Sequence, residues 1–248
     1  MPAGEAVRRA GLHAPFVVSV HGGDVFHTAP GSAAGAEAVR AALARARLVI
    51  ANSGGIEERC RVLGARATRV VRLGSDLPAG HAAPYAAPTV VTTGHVIARK
   101  RHADVLRAVA ALAGRHPALR YLVIGDGPEL PRRVRATLFA MPSTDEAFGV
   151  AYVEAMAGWL PAIAAAGEPG PQEILGAGAG GRGRGHRAGM TLVPPGDVPA
   201  LAAAIDALLS DGAALRAAGE QARATVEHAF SWSACGAATV AAYEAALT

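Results

Sequence analysis

Two glutamates and one lysine carry the densest chemical signal in this 248-residue chain. In Pro142-Ser143-Thr144-Asp145-Glu146-Ala147-Phe148-Gly149-Val150-Ala151-Tyr152-Val153-Glu154, an apolar strand ends at Pro142-Ser143, a tight turn carries Glu146, and a helix opens around Phe148-Gly149. Free amides at a helix start carry partial positive charge and suit a diphosphate. Gly149 has no Cβ, so the backbone there can come close to a ligand. Glu146 falls at the C-terminal mouth of a strand, where open α/β sheets bind ligands. Glu154 lies little more than a turn into the helix, so both carboxylates can face one ligand. One suits sugar hydroxyls and the other ribose hydroxyls. The plainer reading of the same spacing is a capping acid and an exposed helical glutamate. Lys100 is the single lysine among 24 Lys and Arg residues. A lone lysine in so arginine-biased a chain invites a question about its task.

The elements that must position these groups follow from hydrophobic period. Short β-branched runs at 16–20, 48–51 and 68–72 read as buried strands, with helices near 34–47 and 55–63. The stretch 78–88, rich in proline, glycine and alanine, reads as a linker. Strands are then expected at 89–93, 119–124, 137–141 and 161–165, and helices at 102–114, 149–157, 198–209, 213–228 and 231–247. Val105, Leu106, Val109 and Leu112 form one expected apolar stripe. Continuous apolar strands alternating with helices predict an α/β fold with parallel sheets covered on both faces. The expected division is 1–80, a linker at 81–88, a second lobe at 89–229, and a closing helix at 230–248 that packs back toward the first lobe. The glycine-rich stretch 176–189 reads as a mobile surface loop; its arginines suit phosphate or an anionic membrane, and a solvated linker is the plainer reading.

Composition narrows the classes of function. Hydrophobic residues at 51% and charged residues at 18% exclude a disordered chain. A net charge of +4 with 4% aromatics argues against nucleic acid. No apolar run reaches the roughly 20 residues of a membrane span. Arg8 and Arg9 precede an apolar run too short for an export signal. Cys60 and Cys235 give no disulfide framework, so a reduced, cytoplasmic chain is expected, and both read as small apolar residues. Gly125-Asp126-Gly127-Pro128 lacks the third glycine of a dinucleotide loop and reads as a turn.

The acidic pair in its setting, Pro142-Ser143 … Glu146-x7-Glu154-Ala155-Met156-Ala157, resembles the signature of group 1, family four retaining glycosyltransferases of the two-lobed GT-B type. Further segments resemble that family in the same order. They are His21-Gly22-Gly23-Asp24 after a strand, Ala51-Asn52-Ser53, Leu73-Gly74-Ser75-Asp76, Thr93-Gly94 through Lys100, Ile124 through Pro128, Leu192 through Asp197, and Phe230-Ser231-Trp232 with Tyr243.

The resemblance implies two Rossmann-like lobes and transfer of a hexose from a nucleoside-diphosphate sugar to an alcohol. In that scheme Lys100 neutralises the donor diphosphate, Glu146 holds the transferring sugar, and His21 faces it across the cleft. Glu154 binds the ribose, and the amides of Phe148, Gly149 and Val150, with Gly94 and His95, complete the donor site. No cofactor or metal is implied; His21, Asp24 and His27 also lack helical metal-ligand spacing.

The chain departs from the family at several points. The strands and glycine-rich loop that open the family's first lobe are not seen before His21, so that lobe is expected to be incomplete, with open sheet edges that invite self-association. Only 129–137 stands where the family has a further strand and helix. His95 replaces an arginine, and Trp159 replaces a glycine. The alternative function is therefore a non-catalytic, nucleotide-sugar-binding remnant or fragment. The resemblance also implies peripheral contact with the inner membrane face.

Overall fold

The computed structural model describes residues 6–7, 10–11, 15–125, 136–178 and 187–248. Strands β1 (Val17–Val20), β2 (Leu48–Ala51) and β3 (Thr68–Val70) form a parallel sheet in the order β1-β2-β3. Strands β4 (Thr89–Thr93), β5 (Arg120–Ile124), β6 (Leu138–Met141), β7 (Ala162–Ala165) and β8 (Met190–Val193) form a second parallel sheet in the order β5-β4-β6-β7-β8. Every residue of β2, β6 and β7 is buried, as strands covered on both faces must be.

Among the described residues the helices of eight residues or more are α1 (Ala33–Arg45), α2 (Gly54–Val62), α3 (His102–Leu112), α4 (Val150–Ala157), α5 (Pro169–Ala177), α6 (Val198–Ser210), α7 (Gly212–Ala229) and α8 (Trp232–Leu247). Ser32, Ser53, Asp197, Asp211 and Ser231 each cap the helix that follows with a side-chain oxygen. Side chains alternate between the faces of each strand. Thus Val91, Phe139 and Met141 pack against α4, α5 and α7, while Val90, Leu138 and Ala140 pack against α3 and α6. Helices α1 and α2 cover one face of the three-stranded sheet. Cys235, Ala238, Ala242 and Ala246 of α8 cover the other, and Arg47 and Arg69 donate to the carbonyls of Ala246 and Ala241.

The two sheets touch through specific groups. Ser53 Oγ donates to the Ala147 carbonyl at 2.7 Å, and Glu173 takes the Gly54 amide at 2.8 Å and Arg72 Nε at 2.7 Å. Ala147 itself lies in the apolar cluster of the three-stranded sheet.

Leu106, Pro169–Ala177 and Met190–Val193 differ from the sequence expectation. Leu106 is 58% exposed and outside the stripe on α3, whose buried residues are Val105, Ala108 and Leu112 besides Asp104. Helix α5 and strand β8 form where only loop or unassigned chain was expected. Pro169 in the first turn of α5 needs no amide partner, so the prolines there do not break the helix. The loop at 176–189 and the turn beyond Gly125 lie largely outside the described residues, as does 129–135.

Among the described residues no single helix is long and apolar enough to cross a membrane. Helices α6 and α7 have that composition together, but they meet at a 104° bend. Cys60 is buried, which pushes its thiol up to about 11, with Asp24 and Glu57 adding to the effect; it is inert packing.

Candidate functional site

Strand β5 lies on one side of β4 and β6 on the other, so the winding of the five-stranded sheet reverses between the ends of β4 and β6. Such a reversal leaves a crevice at the C-terminal strand ends. β4 runs through Gly94 into a short helical turn, Ala98–Lys100, and β6 runs through Pro142-Ser143 to Glu146. The two loops converge. Lys100 Nζ donates to Glu146 Oε2 at 2.6 Å, with both residues buried. Ser143 Oγ donates to the same oxygen at 2.8 Å, and Arg99 stands 3.9 Å from it.

Tyr152 lies behind this group, its hydroxyl 3.2 Å from Ser143 Oγ and donating to the Met141 carbonyl. Burial, followed by the nearby Glu146 charge, pushes the Tyr152 pKa up, so the phenol stays a neutral donor. Lys100 and Arg99 thus set two cations beside the one Glu146 carboxylate.

The Glu146 loop is bent beyond what most residues accept. Asp145 adopts φ 54° and Gly149 φ 86°. A Cβ on Gly149 would lie 2.3 Å from the Tyr152 ring and 3.3 Å from Glu146 Cγ, so glycine is required by both conformation and space. The amides at this helix start are those that a helix leaves without carbonyl partners. Gly94, at φ 143°, flanks the stem of Lys100; a Cβ there would stand 3.6 Å from Lys100 Cε.

Phe148 is buried with its ring edge against Phe230, 5.7 Å between centroids, so only its backbone remains for a ligand. Val150 is partly exposed at the first turn of α4. His21 is exposed, with Nε2 3.0 Å from Ser19 Oγ. The adjoining Gly22 packs so tightly on Ala147 that a Cβ would come within 2.5 Å of the Ala147 Cβ, which sets the end of β1 against the Glu146 loop. His95 is exposed, and its carbonyl accepts from His102 Nε2 at 3.1 Å.

Glu154 is half-buried; burial, then the Asp76 carboxylate, raises its pKa above the ordinary 4.5. Trp159 adopts a left-handed backbone, a conformation that ordinarily suits glycine, at φ 66°. Its indole packs edge-on against His81 and lies under the Arg223 guanidinium.

Sequence reasoning missed Arg99, Glu168 and Glu173. Glu168 accepts from the Glu146 amide at 2.8 Å. The Glu-Pro pair at 168–169 signals a helix start, but nothing in the sequence names its distant partner.

Glu154 gives a test of sign. A carboxyl raised in the folded state adds stability below its unfolded value and loses that contribution as pH rises through the folded one. Glu154→Gln is therefore expected to melt higher than wild type at pH 7, with the difference gone near pH 4. Thermal unfolding at the two pH values checks this; equal shifts at both would remove the account of Glu154 as a desolvated acid.

Residues 132–225 match the family model for glycosyl transferases group 1. An exopolysaccharide phosphotransferase of Streptomyces coelicolor is 31% identical over 189 residues, and the match spans 64% of this chain but only 19% of that protein. Sucrose-phosphate synthase from Thermosynechococcus elongatus superposes with TM-score 0.73 at 21% identity, over 96% of this chain and 69% of the other. Anabaena HepE in complex with UDP superposes with TM-score 0.77 at 21% identity, over 98% of this chain and 75% of the other. HepE is also known in complex with UDP-glucose. The fold of this chain is thus α/β with parallel sheets flanked by helices, as in these structures.

Proposed function

We propose that this chain is a retaining glycosyltransferase of family four that moves a hexose from a nucleoside-diphosphate sugar to an alcohol acceptor. The observation that carries this reading is the buried Lys100–Glu146 contact at the reversal point of the five-stranded sheet. In this mechanism donor binding parts the pair. The ammonium of Lys100, with Arg99 beside it, takes the diphosphate, and the Glu146 carboxylate takes hydroxyls of the sugar.

As the glycosidic bond breaks, negative charge grows on the leaving diphosphate, and fixed cations and helix-start amides stabilise it where it forms. Positive charge grows on the sugar ring near Glu146. The leaving phosphate oxygen removes the acceptor proton on the same face, so no enzyme nucleophile is required. Glu154 holds the ribose, and His21 closes the far side of the sugar. No metal enters this scheme.

UDP-glucose is the first donor to test, because a structural neighbour holds it. Transfer of the sugar releases the nucleoside diphosphate, whereas transfer of a sugar phosphate, the chemistry suggested by the name of the Streptomyces relative, releases the monophosphate. Release of diphosphate from any of a panel of nucleotide sugars, with the product's anomeric configuration kept, is the expected result. Monophosphate release would replace this reaction with phosphotransfer. If no donor is turned over but one raises the melting temperature, as binding to the folded state must, the chain binds nucleotide sugars without catalysis.

A further inference from the structure

We infer that Glu168 is a positioning residue that fixes the Glu146 carboxylate by gripping its backbone from the start of α5. The inference rests on the donor-binding reading of Glu146 and extends it to a residue outside the acidic pair.

Glu168 occupies the N-cap position of α5, with extended backbone, where the short side chains of Ser, Thr, Asp or Asn ordinarily accept from the amides of the helix. It makes no such cap. Its Oε2 accepts from the Glu146 amide, 22 residues earlier, at 2.8 Å. In return the Gly170 amide, in the first turn of α5, donates to the Glu146 carbonyl at 2.9 Å. The two bonds hold the peptide planes on either side of the Glu146 Cα. With both planes fixed, so is the Cα–Cβ direction, which carries the carboxylate to Lys100 and Ser143.

The grip acts against resistance. Asp145, immediately before Glu146, is in the left-handed region at φ 54°, a conformation that a non-glycine residue holds only when its surroundings impose it. The Thr144 amide is tied to the Arg99 carbonyl at 2.9 Å. The bend is therefore held at both ends, by the Lys100 turn before it and by Glu168 and Gly170 after it.

Holding Glu168 there also carries a cost. Its carboxylate is partly desolvated and faces the acidic Asp145 and Glu146, with Arg59 of α2 opposing them, and the balance raises its pKa. A neutral glutamine would avoid that charge crowding and still offer an oxygen to the amide. The geometry thus requires an acceptor of this length, and charge is dispensable.

The role predicts a specific loss. Glu146 touches the sugar and not the nucleoside diphosphate, so misplacing it weakens the part of the affinity that the sugar adds. Calorimetry with UDP and with UDP-glucose on wild type, Glu168→Ala, Glu168→Gln and Glu146→Gln reads that part as a ratio of dissociation constants. Wild type is expected to bind UDP-glucose more tightly than UDP. In Glu168→Ala that ratio should fall about tenfold, the size of one lost charge-assisted hydrogen bond, while UDP affinity does not fall, because a loosened Glu146 leaves Lys100 free for the diphosphate. Glu168→Gln should restore the ratio, and Glu168→Ala should add little to the loss in Glu146→Gln, since both remove one unit.

A wild-type ratio retained in Glu168→Ala overturns the positioning role. Equal losses of UDP and UDP-glucose affinity, together with a lowered melting temperature, would mark Glu168 as a general structural support and also overturn it. A wild-type chain that binds UDP but gains nothing from the sugar overturns the reading of Glu146 itself, and the inference falls with it.

Discussion

Lys100→Met is expected to lower donor turnover about a hundredfold or more, the scale of losing one fixed group that stabilises developing charge. The same substitution is expected to cost about 3 kcal/mol of folding stability, because it leaves a buried carboxylate without its ion-pair partner. Ser143 still donates to Glu146, and Arg99, 3.9 Å away, can move closer, so the cost falls at the lower end of such losses. The double variant Lys100→Met with Glu146→Gln separates the two effects. A neutral pair of similar volume restores most of the stability, since removing both charges also removes the penalty for burying them. It does not restore turnover, because the charge that met the diphosphate is gone. Denaturant unfolding and diphosphate release on the three proteins check this. A double variant that regains turnover would show that Lys100 serves the fold and not the reaction.

Gly170→Ala is the second large effect, and it is steric. A Cβ at this position would lie 2.1 Å from the Phe148 carbonyl oxygen and 2.5 Å from its Cα. Those are backbone atoms and cannot swing aside as a side chain does. The start of α5 has to move off the Glu146 loop, which breaks the bond from the Gly170 amide to the Glu146 carbonyl. The expected loss is about 3 kcal/mol, at the upper end for overpacking, or roughly 10 °C in melting temperature for a chain of this size. Gly176→Ala, in the same helix, is the control. Nothing lies within 4 Å of a Cβ there, so the better helix propensity of alanine should leave stability unchanged or raise it by about 0.5–1 kcal/mol. Similar melting curves for the two variants would refute the close contact between α5 and the Glu146 loop.

The residues around the Glu146 loop show how far a one-dimensional reading reaches. Strands β2, β4, β6 and β7 are legible because buried parallel strands are runs of β-branched or small apolar residues; α6 and α7 are legible from their period, and α8 from its Ser231 cap. Leu106 misleads because Val105 and Leu106 differ by about 100° around a helix, so adjacent residues cannot both face a narrow core. Helix α5 hides behind its prolines and glycines. Trp159 stands where the family resemblance implies glycine, and its positive φ is one that ordinarily suits glycine, while the indole packs on His81 and Arg223.

By itself the sequence determined the alternation of elements, the acidic pair on a strand-to-helix turn, and the uniqueness of Lys100, because these depend on residue type and local period. Only the tertiary structure decided that Lys100 and Glu146 share a bond, that Glu168 spends its carboxylate on another segment's amide, and that Gly22 meets Ala147 across the two sheets. Those contacts join residues 22 to 125 positions apart. Strand order and helix packing bring such residues together, and no local preference of the chain encodes either.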